Sequence, residues 1–134
     1  MCEVVVASEF AYIAKNLVGK DVLVVAVSQS GETADVIEGV KIAKANGARI
    51  LSIVNAVGST LDRLADVSLS LNCGPEIGVA ATKTYSSQLA IMYQIAASCD
   101  GKLDAEREKL KAIATECEKV LASSKEKTGD LAVR

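Results

Sequence analysis

The stretch V-L-V-V-A-V-S-Q-S-G-E-T-A-D, residues 22–35, joins an apolar run of strand length to the start of a helix-like run. When a strand leads through a hydroxyl-rich glycine turn into a helix, the first N–H groups of that helix are left without partners. Gly31 carries no Cβ that would keep the backbone from approaching a phosphate. The stretch therefore predicts a strand of a parallel sheet, followed by an anion site at a helix N-terminus.

The anion site would work without cations, because no Lys or Arg lies between Asp21 and Val40. Neutral donors and the helix dipole would have to hold the anion. The same residue types are also common in turns and helix caps. Ser30 could be the N-cap of the helix, with Glu32 and Asp35 favourably placed in its first turn. The local pattern leaves phosphate binding and plain capping as alternatives.

A second glycine-containing loop, G-P-E-I-G-V-A-A-T-K at residues 74–83, follows the alternating apolar run 66–71 and leads into another helical pattern. Loops that follow parallel strands meet at one edge of the sheet, where ligands of open α/β folds bind. We therefore expect the two loops to face the same ligand.

Apolar runs of strand length alternate along the chain with amphipathic runs of helix length, which indicates a parallel sheet flanked by helices. The pattern predicts strands at 3–7, 21–27, 49–54 and 66–71, and helices at 8–17, 32–46, 60–65, 79–99 and 104–122. These elements make a three-layer α/β domain of about four strands over residues 1–122. The remainder, 123–134, is expected to be a flexible tail.

Composition agrees with one cytoplasmic domain. Of the 134 residues, 50% are hydrophobic but only 3% are aromatic, so the core must be built from Val, Leu, Ile and Ala, as in parallel sheets. A formal charge of −2 with scattered Lys and Arg gives no basic stripe for nucleic acid. Because Glu3 and Glu9 interrupt the start and no apolar run could cross a bilayer, we expect neither a signal peptide nor a membrane partner.

The cysteines do not suggest a metal site or a disulfide framework. Cys2, Cys73, Cys99 and Cys117 are far apart, include no C-x-x-C pair and have no histidine to join them. Free thiols are the expected state, and no metal or other cofactor is predicted.

The two loops, S-Q-S-G-E-T-A-D and E-I-G-V-A-x-T-K, resemble in order and spacing those of the sugar isomerase (SIS) domain family. Residues 6–10 and 59–61 match the same family, so the resemblance runs from about Cys2 to Gln88. Within the family the chain is most similar to the isomerase domains of glutamine–fructose-6-phosphate aminotransferases. The resemblance implies a flavodoxin-like fold with strand order 2-1-3-4-5, of which this chain would lack the first, central strand.

The resemblance also implies the roles of individual residues. Ser28, Gln29, Ser30 and Thr33 would bind the phosphate of fructose 6-phosphate or glucosamine 6-phosphate, with Gly31 contributing backbone. Val79 would contact the sugar through its backbone, and Glu76 and Ala81 would lie near it. Ala81 stands where well-known members have a serine that bonds a sugar hydroxyl. For Glu76 a role in orienting the loop is favoured over proton transfer, and Lys83 is expected to be a surface lysine.

Comparison with complete members of the family implies that this chain is not an enzyme by itself. It lacks the second SIS domain, which carries the family's catalytic groups, and it contains no histidine for ring opening. No catalytic residue is therefore assigned, and no glucosamine 6-phosphate formation is expected. Three functions stay open: a sugar-phosphate-binding part of the isomerase half, a non-catalytic sensor or oligomerisation module, and, with least support, a stand-alone isomerase.

The missing central strand implies unsatisfied backbone groups on the strands at 3–7 and 21–27. Either these two strands pair directly in a four-stranded sheet, or another chain covers the exposed edge. Because an Ala-, Val- and Leu-rich domain of this size leaves apolar helix faces to cover, we expect a homodimer.

Overall fold

A computed structural model of the chain describes residues 2–13, 17–78 and 80–132. The elements, in chain order, are α1 (Ala7–Ile13), β1 (Leu23–Ser28), α2 (Ala34–Ala45), β2 (Arg49–Val54), α3 (Thr60–Leu64), β3 (Val67–Ser70), α4 (Lys83–Cys99) and α5 (Leu103–Ala132). They fall into two compact units, Met1–Gln88 and Leu89–Arg134. The sheet and both predicted binding loops belong to the first unit.

The sheet is parallel, with strand order β1-β2-β3. Ser28 pairs with Val54 and Val54 with Ser70, so all three strands end at the same edge. The α/β class and the parallel sheet flanked by helices are confirmed. The described residues contain three strands, however, and not the four that the sequence pattern predicts.

The core lies where α2 and α3 pack on the sheet. Both helices connect neighbouring parallel strands in the same direction, and right-handed crossovers then place them on one face. Lys44 of α2 donates to the carbonyl of Leu64 at the end of α3, at 2.6 Å. The buried residues between these elements are aliphatic, as the composition predicts: Ala26, Val40, Ala43, Ala48, Ile50, Val54 and Leu61.

The strand predicted at 3–7 is wrong. Residues 2–6 belong to no ladder, and α1 begins at Ala7. Val4 is 97% exposed and Val6 is 70% exposed. A run of β-branched residues favours a strand only where a neighbouring strand pairs with it. In the described part of the chain β1 pairs with β2 alone, so direct pairing of residues 3–7 with β1 is not observed.

The boundaries of the last two helices also differ from the predicted ones. The helix predicted at 79–99 begins at Lys83, because an upstream carboxylate holds the preceding turn (below). The helix predicted at 104–122 begins at Leu103 and continues to Ala132, and Ala and Lys residues in this extension favour helix. The flexibility of 123–134 stays a prediction.

The second unit consists of the rest of α4 together with α5. Arg107 Nε donates to Gln94 Oε1 at 3.1 Å, and the Tyr93 hydroxyl donates to Glu106. Among the residues described, no helix is both long and apolar enough to cross a membrane.

Candidate functional site

The loop after β1 is closed by the hydroxyl of Ser28, the last residue of the strand. Ser28 Oγ accepts from the Gly31 N–H at 3.0 Å and lies 3.0 Å from Thr33 Oγ1. Ser28 is only 6% exposed. Its buried hydroxyl therefore connects the loop internally and offers little surface to a ligand.

Ser30, Glu32 and Thr33 form the exposed rim of this loop. The Glu32 N–H donates to Ser30 Oγ at 3.2 Å, which makes a local turn and leaves the hydroxyl proton of Ser30 available. The alternative in which Ser30 is the N-cap of the helix is wrong, because that position belongs to Thr33.

The N-terminus of α2 is not capped by a side chain. Thr33 has extended backbone angles, but its hydroxyl faces Ser28 and makes no capping bond. Ala34 and Asp35, the first two residues of the helix, are exposed. A twelve-residue helix thus presents its positive end to solvent at the carboxyl edge of the sheet.

Gly31 is fixed by the start of α3. Its φ of +67° is in the left-handed region, and a Cβ at this position would lie 2.0 Å from Ser59 Oγ. The carbonyl of Gly31 accepts from the Leu61 N–H at 3.0 Å. Glu32 Oε1 accepts from the Thr60 N–H at 2.7 Å, and this bond is the main cause of a lowered Glu32 pKa. Bonds to α3 therefore hold the loop in place, and the N–H groups at the start of α2 are not needed for this.

The loop after β3 is organised by Glu76. Its carboxylate accepts four hydrogen bonds, from the hydroxyls and backbone N–H groups of Thr82 and Thr84, at 2.6–3.3 Å. Thr84 is fully buried. These bonds, led by that of the Thr84 hydroxyl, lower the Glu76 pKa from 4.5 to about 2. An internal carboxylate thus occupies the start of α4, in contrast to the open start of α2.

Two other predicted residues of this loop are exposed. Ala81 is exposed in the turn before α4, and Lys83 is the exposed first residue of that helix. Val79 lies outside the described residues. The predicted orienting role of Glu76 agrees with its four bonds.

Asn55, which the sequence analysis did not single out, connects the two loops. Its backbone N–H donates to the Gln29 carbonyl at 3.1 Å, and its side chain bonds to Cys73 and Gly74. The available signal was its position, since Asn55 directly follows an apolar run in the sequence, as Ser28 and Asn72 also do.

An open depression of about 520 Å³ lies at the opposite edge of the sheet. Its lining includes Leu23, Arg49 and Val67, the first residues of the three strands. Ligands of open α/β sheets bind outside the carboxyl ends of the strands, so we do not assign the site to this depression. The described residues hold no cluster of His, Cys, Asp or Glu suited to a metal ion.

The lowered Glu76 pKa predicts a pH-dependent contribution to stability. A carboxyl whose folded pKa is depressed stabilises the fold above its ordinary value of 4.5, and that contribution is lost as the pH falls toward about 2. We expect Glu76→Gln to have a lower Tm than the parent at pH 7 and the two Tm values to converge near pH 2. Thermal unfolding across this range tests it, with Glu118→Gln, an exposed glutamate of α5, as the control. A constant difference in Tm at every pH would contradict the prediction.

Comparison with known proteins identifies both the fold and its relatives. The model of the SIS domain family matches residues 1–98. A glutamine–fructose-6-phosphate aminotransferase (isomerizing) of Thermotoga maritima is 60% identical over 91 residues, which are 68% of this chain and 15% of that protein. One from Pyrobaculum aerophilum is 42% identical over 134 residues, covering 97% of this chain and 22% of that protein. The chain thus spans about a fifth or less of the length of these relatives.

A solved structure shows the same relationship. The C-terminal domain of glucosamine-fructose-6-phosphate aminotransferase from Francisella tularensis superposes with a TM-score of 0.69 and 34% sequence identity. The match covers 84% of this chain and 34% of that one. The family match over residues 1–98 includes the sheet and both loops.

Proposed function

Because this chain belongs to the SIS domain family, we propose that it binds the phosphate group of a phosphorylated hexose in the loop 28–33. The observation that carries the proposal is the difference between the two helix starts at this edge of the sheet. The start of α2 is exposed and uncapped, whereas Glu76 fills that of α4. An anion is attracted to the first and repelled by the carboxylate at the second.

The residues of the loop divide into two roles. Ser30 and Thr33, both exposed, offer hydroxyls to the phosphate beside the first N–H groups of α2. Gln29 lies half-buried in the same turn and supplies an amide donor. Ser28 and Gly31 shape the loop, since the first is buried and the second must fit against Ser59.

The sugar would extend from the phosphate toward the loop 74–82. The names of the relatives make fructose 6-phosphate the proposed ligand, with glucosamine 6-phosphate as its product counterpart. Val79 would contact the sugar through its backbone. At Ala81 only a methyl group is available, so no side-chain hydrogen bond to the sugar forms there. The negative charge of Glu76 favours a ligand that carries hydroxyls, not a second phosphate, on that side.

In a whole protein this chain would be part of the isomerase half of a glucosamine-6-phosphate synthase-like enzyme of cytoplasmic amino-sugar metabolism. By itself we propose that it binds without turnover, because it has no histidine for ring opening. The exposed Val4 and Val6 favour a second candidate, in which the domain serves as a sugar-phosphate sensor or oligomerisation module.

Calorimetric titration with fructose 6-phosphate tests the proposed function. We expect binding heat with fructose 6-phosphate and none with unphosphorylated fructose at the same concentrations. NMR of the same mixture should show fructose 6-phosphate unchanged. Equal heats for the two sugars would contradict phosphate recognition, and isomerisation of the ligand would show that the chain is an enzyme alone.

We also propose that the chain forms a homodimer. Strand β1 is an edge of the sheet among the described residues, and Leu23 is 57% exposed on it. An edge strand with open N–H and C=O groups is a surface on which a second copy can pair. Light scattering at micromolar concentration should return twice the mass of the chain. A monomer mass across that range would contradict the dimer.

A further inference from the structure

Asn55 stands between the two proposed binding loops. It follows Val54, the last residue of the central strand β2. Its half-buried side chain is placed at the edge where β1 and β3 also end. Those outer strands are separated by two strand spacings, about 10 Å. A residue at the end of the middle strand is the one that can touch both loops.

The backbone of Asn55 is tied to the first loop. Its N–H donates to the Gln29 carbonyl at 3.1 Å, which extends the β1–β2 ladder one residue past the strand ends. This bond fixes the position of Gln29 relative to Asn55 at the end of the sheet. The phosphate-binding loop begins at this point.

The side chain of Asn55 is tied to the second loop. Its Nδ2 donates to the Gly74 carbonyl at 2.6 Å, while its Oδ1 accepts from the Cys73 N–H at 3.3 Å and from Cys73 Sγ at 3.2 Å. The amide NH2 group donates to a carbonyl, and the amide oxygen accepts from an N–H group. An aspartate could accept from Cys73 but could not donate to Gly74.

The segment that Asn55 holds has an unusual backbone. Asn72 has a φ of +50° and Gly74 a φ of +68°, so left-handed residues stand on both sides of Cys73. Such conformations need surrounding contacts to keep them in place. The amide of Asn55 supplies such contacts from the central strand, and the chain leads from here directly to Glu76.

We infer that Asn55 is a positioning residue that sets the distance between the phosphate loop and the sugar loop, and so selects phosphorylated hexoses over phosphate alone. The inference rests on the proposed function. Asn55 need not touch the ligand for this role. It couples the loop that holds the phosphate to the loop that meets the sugar, and only a ligand that reaches both loops gains from the coupling.

Affinities for fructose 6-phosphate and for inorganic phosphate, measured by calorimetry on the full chain, test the inference. Asn55→Ala should weaken fructose 6-phosphate binding about tenfold, since the side-chain hydrogen bonds to Cys73 and Gly74 are lost, and change inorganic phosphate binding less than about twofold. Asn46→Ala is the matched control. Its Nδ2 donates to the Ile42 carbonyl at 2.8 Å at the opposite end of α2, and neither affinity should change.

The outcomes distinguish a failure of phosphate binding from a failure of the role of Asn55. A parent chain that binds neither compound would overturn the proposed function and this inference with it. A parent that binds both, with an unchanged affinity ratio in Asn55→Ala, would overturn the inference alone. If Asn55→Ala does not fold, Asn55→Ser takes its place, because it adds no charge and removes the amide group that donates to Gly74. A selective loss of fructose 6-phosphate affinity in that variant supports the inference, and a proportional loss of both affinities contradicts it.

Discussion

Replacing Gly31 by alanine is expected to destabilise the chain by about 3 kcal/mol and to abolish ligand binding at the loop. Two costs add. A residue with a Cβ at a φ of +67° loses about 1–2 kcal/mol through backbone strain. The new Cβ would also lie 2.0 Å from Ser59 Oγ, and relieving such an overlap in a packed region costs about 1–3 kcal/mol. The loop and the start of α3 must then move apart.

Urea unfolding of the variant and the parent measures this effect, and Gly58→Ala is the matched control. Gly58 has a φ of +78°, but nothing lies within 4 Å of a Cβ built there. Gly58→Ala should therefore lower the free energy of unfolding only by the backbone strain, about 1–2 kcal/mol. If the two variants were equally destabilised, the packing of Ser59 against Gly31 would not be what shapes the loop.

The double variant Ser30→Ala with Thr33→Ala is expected to weaken fructose 6-phosphate binding by about 1–3 kcal/mol, which is about 5- to 150-fold. Each hydroxyl offers the phosphate one neutral hydrogen bond, worth about 0.5–1.5 kcal/mol. The fold should persist, because Ser28 Oγ still accepts from the Gly31 N–H and the anchors to α3 do not involve either residue.

Calorimetry gives the affinities, and circular dichroism checks that both proteins are folded. Ser123→Ala with Thr128→Ala is the control pair, since these hydroxyls bond only to carbonyls of their own helix, α5. It should bind as the parent does. If the Ser30 and Thr33 variant bound equally well, the phosphate would not lie in this loop.

The sequence predicted most of the sheet because the decisive signals are local. Strand β2 was predicted with its observed limits, and β1 and β3 to within two residues, since each is a short apolar run between turn residues. The resemblance to the SIS family, which depended on the two loops, is confirmed by the family match. Helix α2, predicted from residue 32, begins two residues later at Ala34.

What the sequence could not predict depends on contacts between distant segments. Residues 3–7 have the composition of a strand, but pairing requires a neighbour that the pattern does not supply. The four bonds to Glu76 bring together residues six to eight positions apart in a loop without repeating pattern. The role of Asn55 arises only when residues 18 and 19 positions away fold back onto it.

Amide NMR during a fructose 6-phosphate titration shows whether a phosphorylated hexose binds at the N-terminus of α2. We expect large, saturable shifts at the N–H groups of residues 30–36, where the open helix start lies. We expect small shifts at 82–85, where Glu76 already holds the helix start. Saturable shifts confined to 82–85, or to the first residues of the strands at the opposite edge, would contradict binding at the start of α2.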